Sequence, residues 1–80
     1  MKAIVTVMLK DGVLDAPGRA IGQALHTLGF TDVADVRAGR VIELKMTAAN
    51  ANAARIEAEA MARKLLANTV IESYRVTIEE

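Results

Sequence analysis

Val5-Thr6-Val7-Met8-Leu9-Lys10-Asp11-Gly12-Val13-Leu14-Asp15 decides the fold: an apolar strand stops at Asp-Gly and hands over to a helix. Upstream, Ala3, Val5, Val7 and Leu9 alternate with Ile4, Thr6 and Met8, which predicts a strand from Lys2 to Leu9 with apolar character on both faces. Asp11-Gly12 breaks it. Asp15 is placed to cap a helix by accepting from N–H groups of the first turn, and Pro17 fits that turn because its missing donor is not needed there. Pro17, Ile21, Ala24, Leu25 and Leu28 keep helical spacing and are expected to form the buried stripe. Gly29 suits the left-handed residue that ends a helix, with Phe30 folding back as the accompanying hydrophobic contact.

Further along, a short strand is expected near Val33 to Arg37 and a longer one from Arg40 to Met46, joined by a tight Ala38-Gly39 hairpin turn. A second helix is expected from about Asn50 to Ala67, with Ala54, Ala58, Met61 and Leu65 on one side. Its many alanines favour helix and allow close packing on a sheet. Asn68 suits a left-handed C-terminal cap. The last strand, Val70 to Ile78, puts Val70, Tyr74, Val76 and Ile78 on one face. No repeat, linker or low-complexity stretch divides residues 1–80, so a single domain is expected.

Composition narrows the functions. The 80 residues are 52% hydrophobic and 25% charged, the balance of a globular chain with a modest core. With aromatics at 2%, that core must be built of Val, Ile, Leu, Met and Ala. The absence of cysteine excludes disulfides and thiolate metal sites. No apolar run has membrane-helix length and the N-terminus lacks signal-peptide shape, so a cytoplasmic protein without a membrane partner is expected. Ten basic and ten acidic residues cancel, the cations are scattered, and no aromatic pair offers a stacking platform, which argues against nucleic acid.

The order strand, helix, strand, strand, helix, strand gives an α+β two-layer sandwich. In this βαββαβ arrangement, two helices lie on one face of a four-stranded, mainly antiparallel sheet. The other face is left uncovered. Ile4, Met8, Val41 and Ile71 contribute to it, mixed with Thr6, Glu43, Lys45, Ser73 and Arg75, and form the candidate self-association face. Zero net charge permits association.

No constellation of side chains carries chemistry by itself. His26 falls opposite Ile21 and Leu28 without a second His or Cys, as a solvated histidine does. Asp11 and Asp15 have the types for acid–base work or Mg²⁺ binding, but turn and cap roles account for both. Gly12, Gly18 and Gly22 form neither a phosphate loop nor a dinucleotide fingerprint. Arg37 and Arg40 straddle the expected hairpin turn, where guanidinium groups suit a phosphate or a partner's carboxylates. With Asp15 they are the candidate partner contacts. Ile56, beside Ala53 and Ala60, makes a small flat patch on the polar side of the second helix.

Four ordered motifs carry a resemblance that spans nearly the whole chain. They are Val5 to Asp15, then Ala24-Leu25…Leu28-Gly29-Phe30, then Val33…Asp35-Val36-Arg37-Ala38-Gly39-Arg40, then Lys64-Leu65-Leu66-Ala67-Asn68…Ile71-Glu72-Ser73-Tyr74. The chain resembles the PurS family, the small subunit of bacterial and archaeal phosphoribosylformylglycinamidine synthase in de novo purine biosynthesis. It departs from the family pattern at two helix ends. Ala16 stands between Asp15 and Pro17, and Thr69 follows Asn68 where the family favours Pro. Neither change touches a reactive group.

The resemblance implies a non-catalytic subunit that forms homodimers or higher oligomers. It would bridge a PurL-type synthetase and a PurQ-type glutaminase in a complex that uses ATP, Mg²⁺ and glutamine. Ammonia released from glutamine must reach an activated amide without escaping to water, which needs a sealed, fixed relationship between two active sites. No cofactor, metal or catalytic residue is assigned to this chain. The alternative is a small-molecule-sensing regulatory module of ferredoxin-like or ACT-like type, with its ligand beside the Asp11-to-Asp15 turn. A stand-alone enzyme is a third reading, and nothing in the residues favours it.

Overall fold

The computed structural model describes all 80 residues. Strand β1 (Lys2–Leu9) is hydrogen-bonded along both edges, to β2 (Gly39–Lys45) and to β3 (Glu72–Glu79), antiparallel in each case. Helix α1 (Ala16–Thr27) lies between β1 and β2 in the chain. Helix α2 (Ala51–Met61) follows β2 and continues into one π-helical turn, Ala62–Leu66. The sheet has three strands in the order β2-β1-β3.

That architecture corrects the expected four-stranded βαββαβ sheet. Residues 33–37 form no strand. Their two β-branched residues, Val33 and Val36, stand three apart, so they cannot share a face of a pleated strand. Val36 instead lies against Gly18 and Gly22, whose missing side chains open the flank of α1 to it. The Ala38-Gly39 hairpin falls with the strand. Gly39 opens β2 opposite Met8, where a Cβ would collide with the Met8 sulfur and the Val7 carbonyl.

The strand period sorts β1 cleanly. Ala3, Val5 and Val7 are fully buried, and Val5 faces Ile42 on one side and Val76 on the other. Tyr74, Val76 and Ile78 share this face as expected, whereas Val70 lies before β3 and is 81% exposed. Against the face sit Ala54, Ala58 and Ala62 of the helix, all with no exposed surface. Alanines at this spacing bring helix and sheet into close approach.

The helix was expected to keep Met61 and Leu65 in the stripe. Ala62 and Ala67 take those places, and Leu65 is 82% exposed. Ala62 continues the i, i+4 spacing of Ala54 and Ala58, and beyond it the widened turn, in which Ala67 N–H donates to Ala62 O at 2.9 Å, five residues back, puts Ala67 rather than Leu65 next in the stripe. Asn68 has no positive φ and is no left-handed cap. Its carbonyl accepts from the N–H groups of Ile71 and Glu72, and its side chain accepts from Val70 N–H, making it a turn residue.

Helix α1 does not lie on the sheet. It barely touches the other elements, and only Gly18 of its residues is buried. The expected stripe is therefore uncovered in the single chain, with Ile21 and Leu28 exposed, and Phe30 also remains half in water. Gly29 does end the helix with φ +100°, and Phe30 N–H donates to Leu25 O at 3.0 Å. The molecule measures 49 × 26 × 14 Å with a radius of gyration of 15.8 Å, against about 12 Å for a compact chain of this length. α1 and the returning segment 31–38 form an arm. No helix is long and apolar enough to cross a membrane.

The alanine seam yields a stability prediction. Ala58→Leu forces extra methyl groups into a fully closed contact and is expected to destabilise the fold by about 1–3 kcal/mol. Thermal or urea unfolding reads this directly, and an unchanged midpoint would show that the seam is not closely packed.

Candidate functional site at the root of the arm

The two chain segments that connect arm to sheet, 10–15 and 37–39, are tied by one carboxylate. Asp15 Oδ1 accepts from Gly18 N–H at 2.9 Å, the expected helix cap. Asp15 Oδ2 accepts from Ala38 N–H at 2.8 Å, which ties the outgoing segment to the returning one. Gly18 is needed here, since a Cβ would meet both the Asp15 carboxylate and Val36 O. Arg37 adds a second tie: its guanidinium donates to Asp11 Oδ1 at 2.5 Å and to the Leu9 carbonyl. His26, expected to be merely solvated, stays exposed but has Nε2 2.7 Å from Val33 O and so pins the returning segment to α1.

Arg40 belongs to a different cluster. At the start of β2 it is directed to the helix face of the sheet and reaches across β1 to Glu72 at the start of β3. The pair is bidentate, Nη1 to Oε2 at 2.7 Å and Nη2 to Oε1 at 3.1 Å. Arg40 Nη2 also donates to Leu66 O at 2.6 Å, satisfying a carbonyl at the end of the π-helical turn. Asn68 N–H donates to Glu72 Oε1 at 2.7 Å. Thus Arg37 and Arg40 do not protrude together from a hairpin: each braces a junction of the fold. Sequence reasoning singled out Arg40 but missed Glu72 as its partner. The pairing crosses a strand and depends on the register of both β1 ladders.

The electrostatics follow the hydrogen bonds. The N–H groups of Gly18 and Ala38 hold the Asp15 carboxyl below its ordinary value of 3.8, with Arg37 adding to the effect. Arg40, helped by the Asn68 N–H, holds Glu72 below 4.5, and Glu72 in return raises Arg40. Around the root lies an open groove lined by Lys10, Asp15, Arg19, Asp35 and Arg37, of mixed charge. No group of three His, Asp or Glu side chains is placed to hold a metal ion.

The open sheet face carries Ile4 and Met8 half-buried and Val41 62% exposed, on the side away from α2, while Ile71 lies in the turn just before β3 and is 39% exposed. Lys2 lies between Glu43 and Glu79 on this face, at 3.7 and 3.8 Å. Thr6, facing Val41 and Arg75, separates the apolar residues.

The chain is thus a small α+β protein whose polar side chains brace its own junctions. The pattern of the family described as PurS, phosphoribosylformylglycinamidine (FGAM) synthase, matches residues 2–80. The chain is 44% identical over 79 residues to the PurS subunit of Bacillus subtilis strain 168, covering 99% of this chain and 93% of that one. It superposes on the crystal structure of Methanocaldococcus jannaschii PurS with a TM-score of 0.91 and 42% identity, over 99% and 95% of the two chains. A chain in the structure of PurLQS from Thermotoga maritima matches with a TM-score of 0.87 and 29% identity, over 95% and 93%. The chain belongs to the PurS family and is thereby a subunit of phosphoribosylformylglycinamidine synthase. The regulatory-module reading falls away.

A carboxyl lowered by folding stabilises the folded chain above its ordinary pKa, and that contribution is lost as pH falls through the folded value. Asp15 and Glu72 therefore give a melting temperature that is level near neutrality and declines as pH drops below about 4. The double variant Asp15→Asn, Glu72→Gln should melt lower at pH 7 and show a shallower acid decline, read by circular dichroism across a pH series. An acid decline identical to that of the parent would exclude both carboxylates as its source.

Proposed function

We propose that this chain is the non-catalytic bridge of the synthase, joining a PurL-type synthetase to a PurQ-type glutaminase in the cytoplasm and supporting ammonia transfer between them. The observation that carries the reading is its full-length likeness to a chain of the PurLQS structure. The side chains fit the role. Asp15, Arg40 and Glu72, whose pKa values the fold shifts, are engaged in bracing the arm root or the sheet end, and none is paired as nucleophile and base. ATP, Mg²⁺ and glutamine are consumed by the assembly, and we assign none of them to residues of this chain.

The chain acts as a homodimer or higher oligomer in this reading. Nine of 80 residues are buried, too few for a self-sufficient domain, so association adds the missing burial. The sheet face of Ile4, Met8 and Val41, with Ile71 just before β3, is one surface for it. For the other subunits, Arg37 and Arg40 are the contacts, through the parts of their guanidinium groups left to solvent, with 35% and 50% of those side chains exposed. Asp15 supports that contact by fixing the backbone at Ala38, next to Arg37.

The isolated chain is expected to hydrolyse neither glutamine nor ATP. Added to the synthetase and glutaminase, it should be required for glutamine-dependent turnover and dispensable for turnover with free ammonia. Equal glutamine-dependent rates with and without it would refute the bridge.

A further inference from the structure

Leu65 and Val70 are the two most exposed large apolar side chains of the molecule, at 82% and 81%. They stand on either side of Asn68, in the connection from α2 to β3. The backbone that carries them is not slack. The N–H groups of Ala67, Asn68 and Val70 donate to Ala62 O, Glu72 Oε1 and Asn68 Oδ1, and those of Ile71 and Glu72 both donate to Asn68 O. Arg40 holds Leu66 O, and Lys10 N–H donates to Ile71 O at 2.8 Å. The connection is fixed at both ends, and the π-helical turn that seats Ala67 in the core leaves Leu65 outside.

This bracing accounts for Arg40, Asn68 and Glu72 and gives Leu65 and Val70 no role within the chain. Apolar side chains held in water by a rigid backbone are already in position for contact with another protein. The charge around them is one-sided. No acidic residue stands between Glu59 and Glu72, and Glu72 is taken up by Arg40. Arg63 and Lys64, next to Leu65, are exposed and form no ion pair in the chain. Apolar tips rimmed by unpaired cations fit an apolar socket rimmed by carboxylates.

We infer that residues 61–71 form a docking surface for another subunit of the synthase, which receives Leu65 and Val70 in an apolar socket with carboxylates at its rim. This rests on the bridging function proposed above and gives it a surface, adjoining Arg40 at the sheet end. A second copy of this chain is not the occupant. A two-fold contact would set Arg63 and Lys64 against their own counterparts, like charge against like. An asymmetric contact would need an acid-rimmed socket on this chain, whereas its grooves and its open sheet face carry mixed charge.

Two double variants test the surface, with the PurL-type and PurQ-type subunits passed separately over the immobilised chain in surface plasmon resonance. Leu65→Ser with Val70→Ser removes the apolar tips. Both sites are exposed, so its melting temperature and its mass by light scattering should equal the parent's. Its affinity for one of the two subunits should fall roughly tenfold or more, with affinity for the other unchanged. Arg63→Glu with Lys64→Glu should slow association with that same subunit and remove the slowing that salt imposes on the parent. Parental affinity of the apolar variant for both subunits would overturn the inference, as would an equal loss for both, since one such turn fills one socket. So would unchanged association of the charge variant. A lowered melting temperature or a changed mass in the apolar variant would also overturn it, by placing Leu65 and Val70 in the packing of the chain or of its copies. The bridging role fails separately. A parent chain that binds through this surface without supporting glutamine-dependent turnover sinks the bridge and leaves the surface standing. An apolar variant that binds and supports turnover as the parent does keeps the bridge and removes the surface.

Discussion

Strand β1 is the one element hydrogen-bonded along both edges, and its register governs the rest. With Val5 set between Ile42 and Val76, the odd residues of β1 meet the alanine seam of α2, and the even ones face away. A slip of one residue in either ladder would reverse the faces of that edge strand, turning Ile42 and Leu44 of β2 or Tyr74 and Val76 of β3 away from the helix. It would also part Arg40 from Glu72, which meet only because both ladders place them near the same end of β1. The ion pair lies at the end of β1 where the chain leaves for the arm, and it holds the strand beginnings and the end of the π-helical turn together.

Two scales of packing coexist in the molecule. Sheet and α2 are closely joined through alanines and valines, small side chains that give a tight but thin core. The arm has no such core. Its shape is kept by polar ties, Asp15 to two backbone N–H groups, Arg37 to Asp11 and Leu9, and His26 to Val33. Hydrogen bonds fix direction well and add little net stability each, roughly 1 kcal/mol. An element held in that way is aimed rather than buried, which suits a surface that must meet something else.

Local chemistry made much of this legible in the sequence. The alternation of β1, the Asp15 cap, the Gly29 stop and the Ala54–Ala58 seam are set by residues close in the chain, and each appears where the pattern placed it. The missing strand was not legible, because Val33 and Val36 read as β-formers until their spacing is set against the gap that Gly18 and Gly22 leave in α1. Nor was the π-helical turn: its cost is local, but the packing that favours it is with Ala67 and Arg40. The stripe on α1 was read correctly as apolar and wrongly as buried within the chain. Periodicity reports that a face needs a neighbour, and it does not report which molecule supplies one.

The candidate site shows the same division. Asp15, Arg37 and Arg40 stand out by residue type near an expected turn; Asp15 and Arg37 lie at the root of the arm, and Arg40 in a separate cluster at the end of the sheet. Their engagement with Ala38, Asp11 and Glu72 emerges only from contacts between distant parts of the chain. An arginine that already braces its own fold is a more rigid contact than one on a free turn, because little side-chain freedom remains to be lost when a partner arrives. In the bridging role proposed above, internal bracing and external recognition by the same residues are compatible, and the first would prepare the second.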